Sequence, residues 1–213
     1  SSDLPYLEKQ NEENPAMGWR SIRMVLDRRA LLRTQIRALI RATSDKTLYI
    51  MFPMVTDVSE FIEAKRTLEI EMKNALQRKE KLPKKIKVGT MLEVPALIFQ
   101  LENLLPLVDF ISIGTNDLAQ FIFAADRTNP QIASRYDVLS PAFLTMLKYI
   151  VDLCQKAHVK CSVCGEMAGR PLEAMTLLGL GFNVLSMSPD AIGCVKAALG
   201  TLDRKSTRLN SSH

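Results

Sequence analysis

The hydrophobic residues of this chain follow two alternating spacings, and the alternation predicts its secondary structure. Between residues 22 and 40 apolar side chains recur every three or four positions with charges between them, as in an amphipathic helix. A short β-rich run at 47–52 follows, and Pro53 ends it. We predict strands at residues 47–52, 87–92, 108–113, 160–163 and 183–187, and helices at residues 22–40, 57–76, 95–105, 140–157, 171–178 and 190–199.

This order of segments predicts the fold class. Strand and helix alternate five times, which indicates parallel strands joined by crossover helices, either in an open doubly wound sheet or in a closed barrel. The glycine-rich and phosphate-loop fingerprints of nucleotide-binding open sheets are absent. Reactive side chains follow several strands instead, and in a (β/α)₈ barrel all those strand ends open on one face. We therefore predict an α/β fold, a partial (β/α)₈ barrel with about five of the eight units, in residues 1–202.

Charge and hydropathy restrict the function classes. Residues 203–213 are expected to be a non-native or disordered tail, because 204–213 is polar without apolar periodicity. Three basic residues lie in 204–213, so the net charge of +5 falls to +2 for residues 1–203, too little to indicate nucleic acid binding. No apolar run approaches the roughly 20 residues of a membrane span, and no signal peptide pattern is present. We expect a cytoplasmic protein that does not bind membranes.

The cysteines allow a metal or redox interpretation. Cys161 and Cys164 form a Cys-x-x-Cys pair, but Cys154 and Cys194 supply no second paired spacing for the four ligands of a zinc site. A thioredoxin-like pair would open a helix, whereas residues 165–169 are predicted to form a loop. A redox pair stays an alternative. Otherwise Cys154, Cys161 and Cys194 are expected to be core residues.

The run from Asp109 to Arg127 is the strongest candidate for a binding site. A buried strand ends at Gly114, where we predict a tight turn, and Asn116 and Asp117 follow at once. Arg127 comes ten residues after Asp117 and could close over an anion from the far side. The alternative is a solvated turn, since an Asn-Asp pair favours turns in any case.

Five motifs occur in the order seen in phosphoenolpyruvate-utilising enzymes. They are Asn-Pro-Ala-Met-Gly-Trp-Arg-Ser-Ile-Arg at 14–23, Ile-Met-Phe-Pro-Met at 50–54, Met-Leu-Glu-Val-Pro at 91–95, Ser-Ile-Gly-Thr-Asn-Asp-Leu at 112–118 and Cys-Gly-Glu at 164–166. Over about residues 3–200 the chain resembles the C-terminal phosphoenolpyruvate-binding barrel of the enzyme I family of bacterial phosphotransferase systems. Residues 16–17 and 21–23 resemble its nitrogen-related branch.

The resemblance implies that this chain is a fragment of a phosphotransferase. The first three barrel strands, two phosphate-binding arginines and the N-terminal region with the phosphorylated histidine would be missing. The implied reaction moves the phosphoryl group of phosphoenolpyruvate to that histidine and on to a histidine phosphocarrier protein, and it releases pyruvate. The resemblance also implies a homodimer in the full-length protein. We therefore expect the fragment to be inactive in phosphotransfer on its own.

The resemblance also assigns roles to residues that follow the strands. Glu93 and Asp117 are expected to hold Mg²⁺, a cation that prefers hard oxygen ligands and takes one or two protein carboxylates. Arg20 and Arg127 are expected to bind phosphoenolpyruvate through forked donors, with Arg20 towards the phosphoryl group. Asn116 would add an amide donor, and Asp117 is placed in the substrate site as well. Other arginines of the first predicted helix are interpreted as its polar face: Arg23, Arg28, Arg29 and Arg33.

Cys164 is expected to be the catalytic proton donor. Loss of the phosphoryl group leaves pyruvate enolate, which must take a proton on carbon. A thiol with an ordinary pKa near 8.5 is mostly protonated at neutral pH and can serve as that acid. The resemblance places the donor at the position of Cys164.

Three alternatives stay open on the sequence alone. The same barrel occurs in phosphoenolpyruvate synthase and pyruvate phosphate dikinase, which the resemblance does not separate completely from enzyme I. A non-catalytic dimerisation or regulatory module would predict damage at Glu93, Asp117 or Cys164, and these residues are intact. A Cys-x-x-Cys redox protein is the third.

Overall fold

The computed structural model describes residues 14–132 and 135–210, and for residues 202–210 it describes the backbone alone. The chain divides into two compact units, Ser1–Phe110 and Ile111–His213, called unit 1 and unit 2 below. The predicted boundary at residue 202 stays a prediction. Residues 211–213 of the predicted tail lie outside the described residues.

Unit 1 alternates helices with two strands. After a 3₁₀ turn at Pro15–Met17, its elements are α1 (Ile22–Asp27), α2 (Arg29–Ala42), β1 (Thr47–Phe52), α3 (Val58–Gln77), β2 (Lys85–Leu92), α4 (Pro95–Ile98), α5 (Leu101–Leu104) and a 3₁₀ turn at Leu105–Leu107. Alternate residues of β1 are buried and exposed, as its sequence predicts. A capping box between Asp57 and Glu60 begins α3, which confirms the helix start read from that spacing.

The two strands of unit 1 form a parallel pair. Their register runs from Thr47 opposite Lys85 to Phe52 opposite Thr90. Gly89 of β2 faces Phe110, the first residue of β3 (Phe110–Gly114), so tightly that a Cβ at position 89 would lie 2.5 Å from the Phe110 carbonyl oxygen. A parallel pair with a crossover helix is the repeating unit that the sequence predicts.

Unit 2 carries the same alternation. After β3 its elements are α6 (Thr115–Ile122), α7 (Pro141–Lys156), β4 (Lys160–Cys164), α8 (Glu166–Gly169), α9 (Pro171–Leu180) and α10 (Pro189–Asn210). Strands β3 and β4 are neighbours in the sheet. The predicted fifth strand at 183–187 is reduced to one parallel bridge between Val163 and Leu185. Val184 is 54% exposed, so little apolar burial holds this segment in a longer ladder.

Two predicted helices are broken. The helix predicted at 22–40 ends at Asp27, because Arg28 leaves the helical region with φ −109° and ψ 64°. The helix predicted at 95–105 is interrupted at Gln100, whose side chain accepts from the Val58 amide at 3.2 Å and donates to the Thr56 carbonyl at 3.3 Å. At Gln100 these tertiary contacts override a continuous helical pattern.

Two predicted loops are helical. Gly114 is not a left-handed turn, since its φ is −85°, and α6 begins directly after it. Asn116 and Asp117 therefore lie in the first turn of a helix. Residues 166–169, predicted as part of a loop, form the short helix α8. The last helix also continues beyond the predicted residue 199 to Asn210. Within the described part of the chain, no helix is long and apolar enough to span a membrane.

The close approach at Gly89 gives a stability prediction. We expect Gly89→Ala to lower the free energy of unfolding by about 1–3 kcal/mol, because the added methyl meets a backbone carbonyl that cannot move independently. Urea unfolding followed by circular dichroism measures the change.

The matched control is Gly193→Ala in α10, where a Cβ would meet no heavy atom within 4 Å. We expect this variant to be unchanged or more stable by about 0.5–1 kcal/mol, since alanine favours a helix over glycine. Equal stability of the two variants would contradict the packing argument.

Candidate functional site

Met54 is the centre of the candidate site in unit 1. It follows β1 and Pro53, is 1% exposed and has a left-handed backbone with φ 57°. Its amide donates to Oε1 of Glu93 at 2.7 Å. Glu93 comes directly after β2 and is 3% exposed, so this hydrogen bond compensates part of the hydration that the carboxylate has lost.

Arg20 reaches the same methionine from the segment that precedes α1. Its Nη2 lies 3.3 Å from the Met54 sulfur, and its Nε donates to the Ala16 carbonyl at 2.8 Å. Arg20 and Glu93 are separated by 73 positions in the sequence, but both contact Met54. The structure therefore brings together two of the predicted site residues, one cationic and one anionic, around one buried side chain.

Cys164 ends β4 in unit 2, where residues of β3 and α6 contact it. Its Sγ donates to the Ile113 carbonyl at 3.3 Å, and the Ser112 hydroxyl lies 3.5 Å from the sulfur. The Thr115 hydroxyl donates to the Cys164 carbonyl at 2.8 Å. An S–H group that points at a carbonyl oxygen is oriented as a protonated thiol, the form that the predicted acid requires.

Asn116 is hydrogen-bonded to the segment that follows Cys164. Its Oδ1 accepts from the Glu166 amide at 3.0 Å. Gly165 between them has φ +105°, and a Cβ there would lie 2.5 Å from Thr115 Oγ1 and 2.9 Å from Asn116 Oδ1. The absence of a side chain at position 165 therefore lets the ends of β3 and β4 approach each other.

Two cavities in unit 2 share lining residues around the hydrogen bond between Asn116 and Glu166. The larger, about 720 Å³, is lined by Asn116, Arg127, Glu166 and Arg170 among others. The smaller, about 530 Å³, shares Asn116, Glu166 and Arg170 and adds Cys164. Asn116 thus lines one cavity with Arg127 and the other with Cys164.

Asp117 has a different position from the one predicted. It lies in the first turn of α6 beside Asn116, but it lines neither of these two cavities. Its side chain is half-buried. A substrate-binding or metal-binding role for Asp117 stays a prediction.

The sequence analysis missed three residues that contact predicted site residues or line a cavity with them: Met54 in unit 1, and Glu166 and Arg170 in unit 2. Met54 and Glu166 fall inside the five motifs, but hydrophobic spacing gives no reason to single them out. Arg170 precedes Pro171 at the start of α9 and forms ion pairs with Glu166 at 3.2 Å and Glu173 at 3.7 Å. No motif or spacing marked it.

The carboxylates fit a magnesium ion by their chemistry. No cluster of three or more His, Cys, Asp or Glu side chains occurs in the described part of the chain, so an all-protein metal cage is absent there. Mg²⁺ needs only one or two carboxylates when substrate oxygens complete its shell. The hydrogen bond from the Met54 amide to Glu93 is compatible with this role, since a carboxylate has about four acceptor sites.

The redox interpretation of Cys161 and Cys164 does not fit the geometry. Both lie on β4 three residues apart, so their side chains point to opposite faces and their Cα atoms are about 10 Å apart. A disulfide requires less than about 7 Å. All four cysteines are free, and Cys194 is exposed, which corrects its prediction as a core residue. Cys154 is buried, and a hydrogen bond between its thiol and Cys161 raises the pKa of Cys161.

Comparison with known proteins identifies the family. Residues 1–204 match the family described as "PEP-utilising enzyme, PEP-binding domain". The chain belongs to this family. A protein of Salmonella typhimurium named "Phosphoenolpyruvate-dependent phosphotransferase system" is 42% identical over 201 residues, which are 94% of this chain and 27% of that protein. The "Phosphoenolpyruvate-protein phosphotransferase" of Bacillus subtilis is 38% identical over 203 residues, 95% of this chain and 36% of that protein.

These matches confirm the resemblance read from the five motifs. They also set its extent, since the chain spans about a third of the length of the relatives it matches. What those longer proteins do as a whole therefore comes to this chain only as a proposal.

Solved structures confirm the fold class. A citrate lyase from Burkholderia xenovorans aligns with a TM-score of 0.57 at 19% identity, over 78% of this chain and 53% of that one. An aldolase/citrate lyase family protein from Burkholderia cenocepacia gives 0.52 at 16% identity, over 82% of this chain and 68% of that one. Their barrel-like folds support the partial (β/α)₈ barrel predicted from the sequence. At these identities the likeness concerns the fold alone.

The close approach of Gly165 to Thr115 and Asn116 gives a second prediction. We expect Gly165→Ala to lose more stability than Gly181→Ala, by about 1–3 kcal/mol. Both glycines have a positive φ, +105° and +109°, but Gly165 has a ψ of −180°, in a region almost restricted to glycine, whereas Gly181 has a ψ of 9° in the left-handed helical region. Backbone strain therefore adds to the difference in the same direction. Only at Gly165 would the methyl meet Thr115 and Asn116, whereas at Gly181 it meets the flexible end of Gln155.

Hydrogen exchange localises the effect. The Glu166 amide, which donates to Asn116, should exchange faster in Gly165→Ala than in Gly181→Ala. Equal exchange of the Glu166 amide in the two variants would show that its hydrogen bond to Asn116 does not depend on Gly165.

Proposed function

We propose that this chain is the phosphoenolpyruvate-binding part of a phosphoenolpyruvate–protein phosphotransferase of the enzyme I type. The observation that carries the proposal is the family match over residues 1–204, together with relatives that are named for this activity. Those names favour the phosphotransferase over phosphoenolpyruvate synthase and pyruvate phosphate dikinase. The buried position of Glu93 and the hydrogen bonds that orient Glu93 and Cys164 favour it over a non-catalytic module.

The proposed roles of the charged residues follow from the ligand. Phosphoenolpyruvate carries a phosphate and a carboxylate, and Arg20 and Arg127 offer forked donors for such oxygens. Asn116, which lines both cavities, would donate through its amide nitrogen while its Oδ1 stays engaged by the Glu166 amide. Positioning and charge neutralisation are the main requirements of phosphoryl transfer, so these contacts would supply much of the rate enhancement.

Magnesium is part of the proposal. Glu93 and Asp117 are the residues that would hold Mg²⁺, with phosphoenolpyruvate and water as the remaining ligands. The cation would neutralise charge on the phosphoryl oxygens. Glu93 is suited to this role because its hydrogen bond to Met54 fixes the direction of its carboxylate.

Cys164 would complete the reaction. When the bond between phosphorus and the enol oxygen breaks, the electron pair stays on that oxygen and leaves pyruvate enolate. Proton transfer from the Cys164 thiol to the enolate carbon then gives pyruvate and a thiolate. The thiol lies at the carboxyl end of β4 and lines the smaller cavity together with Asn116.

The phosphoryl acceptor would be a histidine of an N-terminal region, which passes the group to a histidine phosphocarrier protein. A cytoplasmic location and a homodimer belong to the same proposal. His158 is a poor acceptor, because it precedes β4 while Cys164 ends it. The strand rises about 3.3 Å per residue, so its ends at Lys160 and Cys164 are roughly 13 Å apart, and His158 lies beyond the Lys160 end.

Substrate binding tests the proposal directly. We expect the chain to bind phosphoenolpyruvate in the presence of Mg²⁺ and to bind it more weakly after chelation, because the cation neutralises part of the ligand charge. Arg127→Gln should weaken binding about tenfold or more, since a hydrogen bond between charged groups contributes about 1.5–3 kcal/mol. Isothermal titration calorimetry gives both constants.

Lys148→Gln is the matched control for this titration. It removes an exposed cation of α7 that pairs with Asp152 and lines neither cavity, so its affinity should equal that of the wild type. Absence of binding to the wild-type chain, or the same loss in both variants, would refute the proposed site.

Phosphotransfer from the chain alone should not occur. We expect no phosphohistidine after incubation with phosphoenolpyruvate and Mg²⁺, because His158 lies at the opposite end of β4 from Cys164. Mass spectrometry under non-acidic conditions checks this. A phosphorylated His158 would contradict the assignment of the acceptor to another region.

A further inference from the structure

Arg23 does not lie on the solvent-facing side of the first helix, where the sequence pattern places it. Its Nη1 donates to the carbonyls of Met17 at 2.7 Å and Gly18 at 3.3 Å, and its Nη2 donates to the Thr56 hydroxyl at 3.3 Å. Its side chain is half-buried. The other arginines assigned to that polar face are exposed, as expected: Arg28, Arg29 and Arg33.

We propose that Arg23 is a positioning residue for substrate binding, which acts by holding Arg20 and Met54 in place. This inference rests on the proposed function of Arg20 and Glu93. Arg23 would not touch the substrate itself. It joins two chain segments, residues 15–20 and residues 53–56, that carry the groups around Met54.

The first of these segments sets the direction of the Arg20 guanidinium. Arg20 donates from Nε to the Ala16 carbonyl, and Arg23 holds the next two carbonyls, those of Met17 and Gly18. The segment is a single 3₁₀ turn without a side-chain cap, so it has little internal stability. The guanidinium of Arg23 donates to the Met17 carbonyl and adds a second donor to the Gly18 carbonyl, which also accepts from the Arg20 amide at 3.1 Å.

The second segment carries Met54. The Thr56 hydroxyl accepts from Arg23 and lies 3.5 Å from the Met54 carbonyl. The Met54 amide in turn donates to Glu93, and the Met54 sulfur accepts from Arg20. A planar guanidinium with a fixed fork of donors can hold both segments at once, which an ammonium group cannot do in the same geometry.

Trp19 gives this region a spectroscopic reporter. It is the single tryptophan of the chain and immediately precedes Arg20. Its indole nitrogen donates to Asp27 at 2.7 Å, and the Arg28 guanidinium lies 4.7 Å from its ring centroid. Tryptophan fluorescence therefore reports on residues 15–20 without a label and without substrate.

The test compares Arg23→Gln with Arg29→Gln. Arg29 lies on α2, pairs with Glu63 and is exposed, so its variant loses one cation and one ion pair without touching residues 15–20. We expect Arg23→Gln to weaken phosphoenolpyruvate binding roughly tenfold, the usual effect of losing a group that orients a binding residue. Acrylamide should also quench Trp19 more strongly in Arg23→Gln, whereas Arg29→Gln should match the wild type in both measurements.

A second variant, Thr56→Val, keeps the test decisive if Arg23→Gln does not fold. Thr56→Val removes only the hydroxyl that accepts from Arg23 and keeps the side-chain shape. We expect a smaller loss of affinity and a small rise in Trp19 quenching, with a melting temperature close to that of the wild type. If Arg23→Gln is folded and both its affinity and its quenching equal those of Arg29→Gln, the inference is overturned.

The two proposals fail in different ways. A wild-type chain that does not bind phosphoenolpyruvate refutes the proposed function of Arg20. The quenching comparison needs no ligand, and it still decides whether Arg23 holds residues 15–20: unchanged quenching in both Arg23→Gln and Thr56→Val overturns that claim.

Discussion

The candidate site in unit 1 depends on the hydrogen bond from the Met54 amide to Glu93. A carboxylate that is 3% exposed has lost nearly all of its water, and an ionised group in that position needs donors or a cation close by. The Met54 amide reaches Oε1 at 2.7 Å from a left-handed backbone, a conformation that costs about 1–2 kcal/mol for a residue with a Cβ. Such strain persists where the surrounding structure determines it, as Pro53, Arg20 and Thr56 do here.

The residues around Cys164 and Asn116 in unit 2 are held by the same kind of constraint, with a different residue in the strained position. There the Glu166 amide donates to the Asn116 side chain, and the backbone strain falls on Gly165. In both units a backbone N–H just after a strand fixes a polar side chain that follows a neighbouring strand. Backbone donors have little conformational freedom, so they orient a binding group more firmly than a flexible side chain would.

The sequence predicted most elements but not their interruptions. Strands β1 to β4 lie where the sequence has short apolar runs, and α3 begins at the capping box that Asp57 and Glu60 indicate. The breaks at Arg28 and Gln100, and the helices after Gly114 and Gly165, were not predicted. Periodicity records which faces are apolar, whereas the break at Gln100 depends on hydrogen bonds to residues 42 and 44 positions away in the sequence.

By itself the sequence determined the family and the identity of the candidate binding residues, because five ordered motifs preserve residue types whose chemistry suits an anionic substrate and a hard cation. Only the tertiary structure decided how those residues are held. Met54 is an ordinary apolar residue in the sequence, but in the fold its amide and sulfur contact Glu93 and Arg20. Arg23 has the spacing of a solvated helix face and instead holds the carbonyls before α1. The physical reason is that a hydrogen bond depends on where two backbones meet in space, which no local spacing of apolar and polar residues encodes.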